Sequence, residues 1–231
     1  MRKIFLFMLW LLLSGLYAQN LQIHYDFSTE RNYVTSTLEM YKPDSLGATF
    51  WFVDFDYNSW RPNKSASLAY WEIARYFALP VFDRRLSATL QYNDGLMIGA
   101  DASGHWGLPL DSAWLLGLNY AFPLKNASLT VELLYRYMDV SRRPDAQLTI
   151  VWFLPLFHER IHFMGYLDYY TQDLPTKAGI VKKPILQSEP QLWYVLNQTF
   201  CIGGEVELDY NFGGYLGEFK IFPTLGIKWN F

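Results

Sequence analysis

Three features are scarce in this sequence, and each scarcity excludes a class of protein. One cysteine among 231 residues excludes an intramolecular disulfide and a cysteine-based metal cluster. Charged residues make up only 18% of the chain and the formal net charge is −3, which argues against binding nucleic acid through a basic face. After Leu13 no stretch of about 18 uncharged apolar residues occurs, so no later segment is a transmembrane helix.

Aromatic residues are abundant instead. The chain is 51% hydrophobic and 19% aromatic, with 9 Trp, 17 Tyr and 17 Phe. Disordered chains lack the apolar side chains needed to form a core, so this composition indicates a folded protein. Many aromatics without membrane helices leave one membrane class open, the transmembrane β-barrel.

The N-terminus has the order of a secretory signal peptide. Arg2 and Lys3 precede an apolar run at residues 4–13, and small or polar residues follow up to Ala18. We expect cleavage after Ala18, which divides the chain into a signal peptide at 1–18 and one domain at 19–231. A retained anchor is the alternative.

The mature chain is dominated by alternation of apolar and polar residues with period two, which predicts strands. At the C-terminus, for example, Leu225, Ile227 and Trp229 alternate with Thr224, Gly226 and Lys228. Such runs lie near residues 21–29, 33–42, 48–58, 66–78, 86–94, 112–122, 127–138, 146–155, 160–172, 188–197, 201–212 and 219–231. Twelve is an even number, and each run is about as long as a tilted strand that crosses a bilayer.

Connector lengths follow the parity of the strands. Every second connector is short (43–47, 79–85, 123–126, 156–159 and 198–200), whereas several of the others are long (59–65, 95–111, 139–145, 173–187 and 213–218). Short periplasmic turns with longer outer loops are typical of outer-membrane barrels. We predict an all-β, twelve-stranded, antiparallel up-and-down transmembrane barrel with both termini at the periplasmic side. A soluble β-fold with the aromatics in its core is the alternative.

The charged residues within the strands predict the inner face. A charge that faces lipid near the midplane costs about 2–4 kcal/mol for Arg or Lys and less for carboxylates, so all of them are expected to point inward. Ten are acidic and one is basic, which favours a lumen that accepts cations or hydroxyl groups. These residues are Asp26, Glu39, Asp54, Asp56, Glu72, Glu132, Arg136, Asp168, Glu205, Glu207 and Asp209.

Alternation places rings and amides on the same face. Together they suit a ligand with a flat apolar face and several hydroxyls, such as a nucleoside or a sugar; filling and solvating the interior is the alternative role. The residues concerned are Phe50, Phe52, Tyr70, Gln91, Asn119, Tyr166, Tyr170, Gln191, Trp193 and Asn211. The predicted pore-lining or ligand-binding set is the eleven charged residues with Phe52, Tyr70, Gln191 and Trp193.

Two points of this pattern stay open in the sequence. Glu72 and Arg75 cannot both face inward without a β-bulge. The connector at 95–111 is apolar for an exposed loop, and folding inward would bury it and narrow the pore. The connector at 173–187 carries three lysines, and a solvated surface loop is the alternative for both.

Motifs for catalysis are lacking. The four histidines include no close pair with a carboxylate at metal-ligand spacing, and no glycine-rich phosphate loop occurs. We therefore expect no metal, no cofactor and no enzymatic activity. A lipid-active barrel enzyme that uses His162 with Ser67 or Ser141 is the least favoured reading.

Several stretches resemble the Tsx-like outer-membrane channels, most closely an uncharacterised Bacteroidetes-type branch with a domain of unknown function. They spread over the whole mature chain: FVDFD at 52–56, YWEIAR at 70–75, YNDG at 92–95, EPQLW at 189–193, GEVE at 204–207 and PTLGIKW at 223–229. The resemblance implies a monomeric twelve-stranded barrel through which nucleosides diffuse.

Partners follow from this resemblance and from the barrel. The C-terminal KWNF at 228–231 resembles the signal read by the barrel assembly machinery, which needs a terminal aromatic such as Phe231. The expected surroundings are the lipid and lipopolysaccharide of a Gram-negative outer membrane, with a small solute such as a nucleoside as cargo. No space remains for a plug domain, so passive transport is favoured over energised uptake. A closed barrel with a structural or surface-binding role is the main alternative function.

Overall fold

The computed structural model describes residues 20–58, 65–138, 144–176 and 179–231, and the predicted signal peptide lies outside them. Among these residues one short 3-10 helix occurs, at Phe82–Arg84, and the rest are strand or connector. The strands are β1 Asn20–Asp26, β2 Val34–Asp44, β3 Gly47–Tyr57, β4 Leu68–Ala78, β5 Leu86–Asp101, β6 Gly104–Ala121, β7 Ser128–Met138, β8 Asp145–Leu156, β9 Ile161–Thr176, β10 Gly179–Ser188, β11 Gln191–Val195, β12 Phe200–Tyr210 and β13 Phe219–Asn230.

All strand pairs are antiparallel, and the sheet closes on itself. β1 pairs with β13 from Asn20↔Asn230 to Asp26↔Thr224. β10 and β11 occupy a single position, because both pair with β9 on one side and with β12 on the other. The break between them falls at Pro190, which has no N–H to donate to a ladder. The barrel therefore has twelve strand positions, which confirms the predicted fold.

Two of the predicted long loops are wrong, because their residues continue the barrel wall as hairpins. β5 runs to Asp101 and β6 starts at Gly104, so the 95–111 segment is paired strand. Leu108 is 53% and Leu96 39% exposed, so of the two alternatives left open the segment does not fold inward to bury these residues. Residues 173–176 and 179–187 likewise belong to β9 and β10.

The two ends of the barrel differ, and we name them here. The turn end carries the connectors that follow β2, β4, β6, β8 and β11, together with the chain ends at Asn20 and Phe231. The loop end carries the connectors that follow β1, β3, β5, β7, β9 and β12. The hairpins β5–β6 and β9–β10 extend the wall at the loop end.

The two faces of the wall differ in chemistry. On β1 and β7 the even-numbered side chains are mostly buried and most odd-numbered ones are exposed. The exposed face is apolar, with Leu133 66% and Ile227 55% exposed, as expected for contact with lipid. Within the described part of the chain, no helix is long and apolar enough to cross a membrane.

A charge on the outer face tests this orientation. Leu133→Arg, near the middle of β7, is expected to lower the free energy of unfolding by about 2–4 kcal/mol, because it places a charge near the bilayer midplane. The matched variant Leu156→Arg, at the turn end of β8, is expected to cost less than about 1 kcal/mol. Equilibrium unfolding in lipid vesicles measures both. Equal effects of the two variants would contradict the placement of Leu133 against lipid.

Candidate solute pathway through the barrel

The structure places all fifteen predicted pore-lining residues on the inner face. Directly paired residues of neighbouring strands project from the same face, so the inner face can be followed from strand to strand through pairs such as Asn20↔Glu39 and Phe52↔Glu72. The other rings and amides named from the sequence lie on this face too, with Asn211 just after β12 at the loop end. Whether the fifteen residues line an open pore or bind a ligand stays a prediction.

No bulge occurs around Glu72, and this answers the question left by the sequence. β3, β4 and β5 pair in register over β4, so Glu72 faces inward and Arg75 faces outward. Arg75 lies at the turn end, where it donates to Asp44 at 2.6 and 2.9 Å. The register shift in this region lies between Asn93 and Gly95, where β5 pairs with β6.

Neutral donors solvate most of the inner carboxylates. Glu132 is only 2% exposed, and it accepts from the Tyr76 hydroxyl at 2.9 Å, from Gln91 at 2.5 Å and from Asn119 at 2.9 Å. Asp168 accepts from the Thr149 hydroxyl at 2.5 Å. Such donors compensate for lost water without adding a positive charge. Most inner carboxyl groups are therefore solvated by hydroxyl and amide groups of the wall rather than by cations.

Three cations that reach the inner face each lie over an aromatic ring that is almost fully covered. The Arg31 guanidinium is 3.7 Å from the Phe222 ring centre, Arg136 is 4.0 Å from that of Tyr170, and the Lys228 ammonium is 4.4 Å from that of Trp193. Cation–π contacts of this kind stabilise a partly desolvated cation. The rings beneath are almost fully covered: Phe222 is 1%, Tyr170 2% and Trp193 0% exposed.

Arg31 is a functional candidate that the sequence analysis missed. It lies in the connector between β1 and β2, where no alternation assigns a face, and it reaches along the wall to β12. Its guanidinium donates to both oxygens of Glu207 at 2.5 and 2.6 Å. Asp26 and Asp209 each lie 3.8 Å from it. One cation thus offsets three buried carboxylates only in part.

Lys228 and Glu189 were also missed, although the alternation was sufficient to find both. Lys228 lies between the outward Ile227 and Trp229 and is 6% exposed. Glu189 accepts from the Tyr166 hydroxyl at 2.8 Å. It interacts electrostatically with Glu205, Glu207 and Asp54. Glu189 strengthens the acidic excess, whereas Arg31 and Lys228 reduce it.

A polar network occupies the inner wall near Trp193. The Trp193 indole donates to Gln191 at 2.9 Å, and Gln191 donates to Glu205 at 3.0 Å. His24 contacts Trp193 edge-on and lies 3.6 Å from Glu205. The wall here is held in place from several sides. Elsewhere on the inner face, Glu72 on β4 interacts electrostatically with Asp168 on β9 and with Arg136 and Glu132 on β7.

Of the residues considered for lipid chemistry, the two that the structure describes, Ser67 and His162, lie at opposite ends of the barrel. Ser67 donates to the Asp56 carbonyl at 3.0 Å and accepts from the Asn58 amide at 3.2 Å, both at the loop end of β3. His162 lies at the turn end of β9, with its ring 5.0 Å from that of Phe153. Ser141 lies outside the described residues. No group of His, Cys, Asp and Glu in the described ranges is arranged to hold a metal ion.

Comparison with solved structures finds small porin barrels. The NanC porin superposes with a TM-score of 0.58 at 10% identity, over 93% of this chain and all (100%) of that one. The KdgM porin gives 0.54 at 10% identity, over 92% and 99% of the two chains. KdgM in complex with disordered oligogalacturonate gives 0.50 at 10% identity, with the same coverage of 92% and 99%. At this identity the likeness shows a shared fold.

Comparison of the sequence with curated proteins finds no match. A family model does match, over residues 18–231, and its description is a domain of unknown function. The likeness to Tsx-like channels stays a prediction. The chain thus belongs to the family described as a domain of unknown function, DUF5020, and it has the barrel fold of small outer-membrane porins.

Proposed function

We propose that this protein is a passive channel in the outer membrane of a Gram-negative bacterium, and that it admits nucleosides and similar small hydrophilic solutes but disfavours anions. The observation that carries the proposal is the composition of the inner face. Carboxylates predominate there, and each of the three cations described above lies over a ring. Passive transport suits a chain whose described residues form strands and connectors with no separate domain among them.

Charge is the first criterion of the proposed selectivity. A wall that carries an acidic excess lowers the local concentration of anions and raises that of cations. One compared porin was solved with oligogalacturonate, which is a polyanion. The charge of Arg31 is already balanced by Glu207, so this cation is a weaker attractor for such a ligand. We therefore expect this channel to differ from that porin in cargo.

Shape and hydrogen bonding are the second criterion. A nucleoside is uncharged, with a flat base and several hydroxyl donors. Rings on the inner face offer stacking surface, and carboxylates accept hydrogen bonds from hydroxyls. The nucleoside proposal rests on this match and on the resemblance to Tsx-like channels.

A closed barrel with a structural role is the second candidate. The observation that favours it is the near-complete burial of large inner side chains, with Trp193 at 0%, Phe222 at 1% and Tyr170 at 2% exposure. These fill part of the lumen. Against it, Phe50, Phe52, Asp54 and Asp56 on the inner face of β3 stay half-buried rather than covered.

Planar-bilayer recordings of the refolded protein decide between the two. We expect small channels whose reversal potential in a KCl gradient shows cation preference, and whose current falls when adenosine is added. Folding is verified beforehand by comparing the migration of heated and unheated protein on a denaturing gel. Absence of conductance from folded protein would establish the closed barrel instead, and preference for chloride would contradict the proposed selectivity.

Removing inner negative charge is expected to weaken the cation preference. Glu205→Gln with Glu207→Gln should lower the ratio of potassium to chloride permeability roughly two- to threefold, which corresponds to a change of about half a kT in the local potential, because this potential acts on the two ions in opposite directions. The control is Asp83→Asn with Glu159→Gln, which removes the same charge from exposed positions at the turn end. An equal fall in both double variants would mean that Glu205 and Glu207 do not face the ion path.

Removing the cation of the first connector is expected to act in the opposite direction. Arg31→Gln leaves Glu207, Asp26 and Asp209 without their shared guanidinium, so the potassium-to-chloride permeability ratio should rise by roughly the same factor. The variant should also unfold at lower denaturant concentration, because buried carboxylates lose an ion pair. Arg31→Lys keeps the charge and serves as the control. A fall in the ratio for Arg31→Gln would contradict the assignment.

A further inference from the structure

One wall of the lumen carries rings that no cation of the described ranges covers. Phe50 and Phe52 on β3 and Tyr70 on β4 form a continuous group, which we call the ring patch. The ring centres are 5.9 Å apart from Phe50 to Phe52 and 6.0 Å from Phe52 to Tyr70, with tilts of 50° and 57°. All three side chains are half-buried. They differ in this from Phe222, Tyr170 and Trp193, which lie beneath cations.

Two carboxylates alternate with these rings. Asp54 lies directly opposite Tyr70, and Glu72 lies directly opposite Phe52. Directly paired residues of an antiparallel ladder project from the same face about 5 Å apart. Each carboxylate of this wall therefore borders an aromatic ring.

Each of these carboxylates has one oxygen engaged by the wall. The Glu72 Oε1 accepts from the Tyr70 hydroxyl at 2.5 Å and from Asn93 at 2.9 Å. The Asp54 Oδ1 accepts from the Thr37 hydroxyl at 2.5 Å. Among the described residues, none donates to Glu72 Oε2 or to Asp54 Oδ2. Both residues are half-buried, so these oxygens are left as acceptors for a solute.

We infer that the ring patch is the stacking subsite of the proposed channel, which binds one face of an uncharged planar ring while Asp54 and Glu72 accept hydrogen bonds from its hydroxyl or amino groups. The inference rests on the proposed function, and it names the part of the wall that selects the cargo. A nucleoside has both halves of this chemistry. A nucleotide places its phosphate among carboxylates, and a sugar offers hydroxyls without an aromatic face.

The stacking half is tested by current block in planar bilayers. Adenosine is titrated against wild type, Phe52→Leu and Phe50→Leu, which keep an apolar side chain but remove the ring. Because stacking on an aromatic side chain contributes substantially to base binding, the half-blocking concentration should rise about tenfold in either variant. Phe153→Leu is the matched control: Phe153 is an inner phenylalanine on β8, five strands away around the barrel, and its variant should block like wild type.

The charge half is tested with adenosine 5′-monophosphate and glucose. The nucleotide should block wild type at least about tenfold more weakly than adenosine does, and Asp54→Asn with Glu72→Gln should narrow that gap, because the phosphate no longer faces two carboxylates. The double variant should also bind adenosine more weakly, since it loses charged acceptors. Glucose should block wild type more weakly than adenosine, and its block should change less than adenosine block in Phe52→Leu.

The outcomes separate this inference from the proposed function. Folded wild-type protein that does not conduct overturns both. Channels that conduct but are not blocked by adenosine, or whose block is the same in wild type, Phe50→Leu and Phe52→Leu, leave the channel in place and overturn the subsite. An equal shift in Phe153→Leu also overturns it, because the effect would then not belong to the ring patch.

Discussion

Closure of the sheet is the constraint on which the rest of this structure depends. Hydrocarbon offers no hydrogen-bond partner, so each unpaired N–H or C=O at an open edge would cost several kcal/mol. The pairing of β1 with β13 along Asn20–Asp26 removes both edges. Once the sheet is closed, each strand residue faces either lipid or lumen. The chemistry of the lumen then follows from which residues alternate inward.

This constraint explains which parts of the molecule could be predicted from the sequence. Within the bilayer, a charge on the wrong face is costly, so alternation is strict enough to place Glu132 and Asp168 on the inner face without a structure. Beyond the bilayer, both faces of a strand meet water, so a charge on either face has no such free-energy cost. The sequence therefore predicts loops at 95–111 and 173–187, although the backbones of 95–101, 104–110, 173–176 and 179–187 pair as strands.

The same reasoning explains why cations were harder to place than carboxylates. The acids lie within regular strands and are solvated by neighbours on the same face, such as Asn119 beside Glu132. Arg31 reaches the wall from a connector in which apolar and polar residues do not alternate. Only the folded chain shows that its partner is Glu207, 176 residues away. Contacts between segments this distant are set by barrel register, which a single sequence does not contain.

The cargo of such a barrel is determined by residues that the fold does not need. A strand requires alternation, but an inward position accepts any side chain that finds hydrogen bonds or space, so the inner face is free to differ between barrels of one shape. At 10% identity, the likeness to two porins accordingly shows the fold of the barrel wall and does not show which side chains line it. Here the lining has three rings beneath cations and three bare rings beside carboxylates. The rings beneath cations lie on β9, β11 and β13, and the bare rings beside carboxylates lie on β3 and β4. The selection against anions that we propose therefore depends on where the carboxylates lie around the lumen as well as on the total charge.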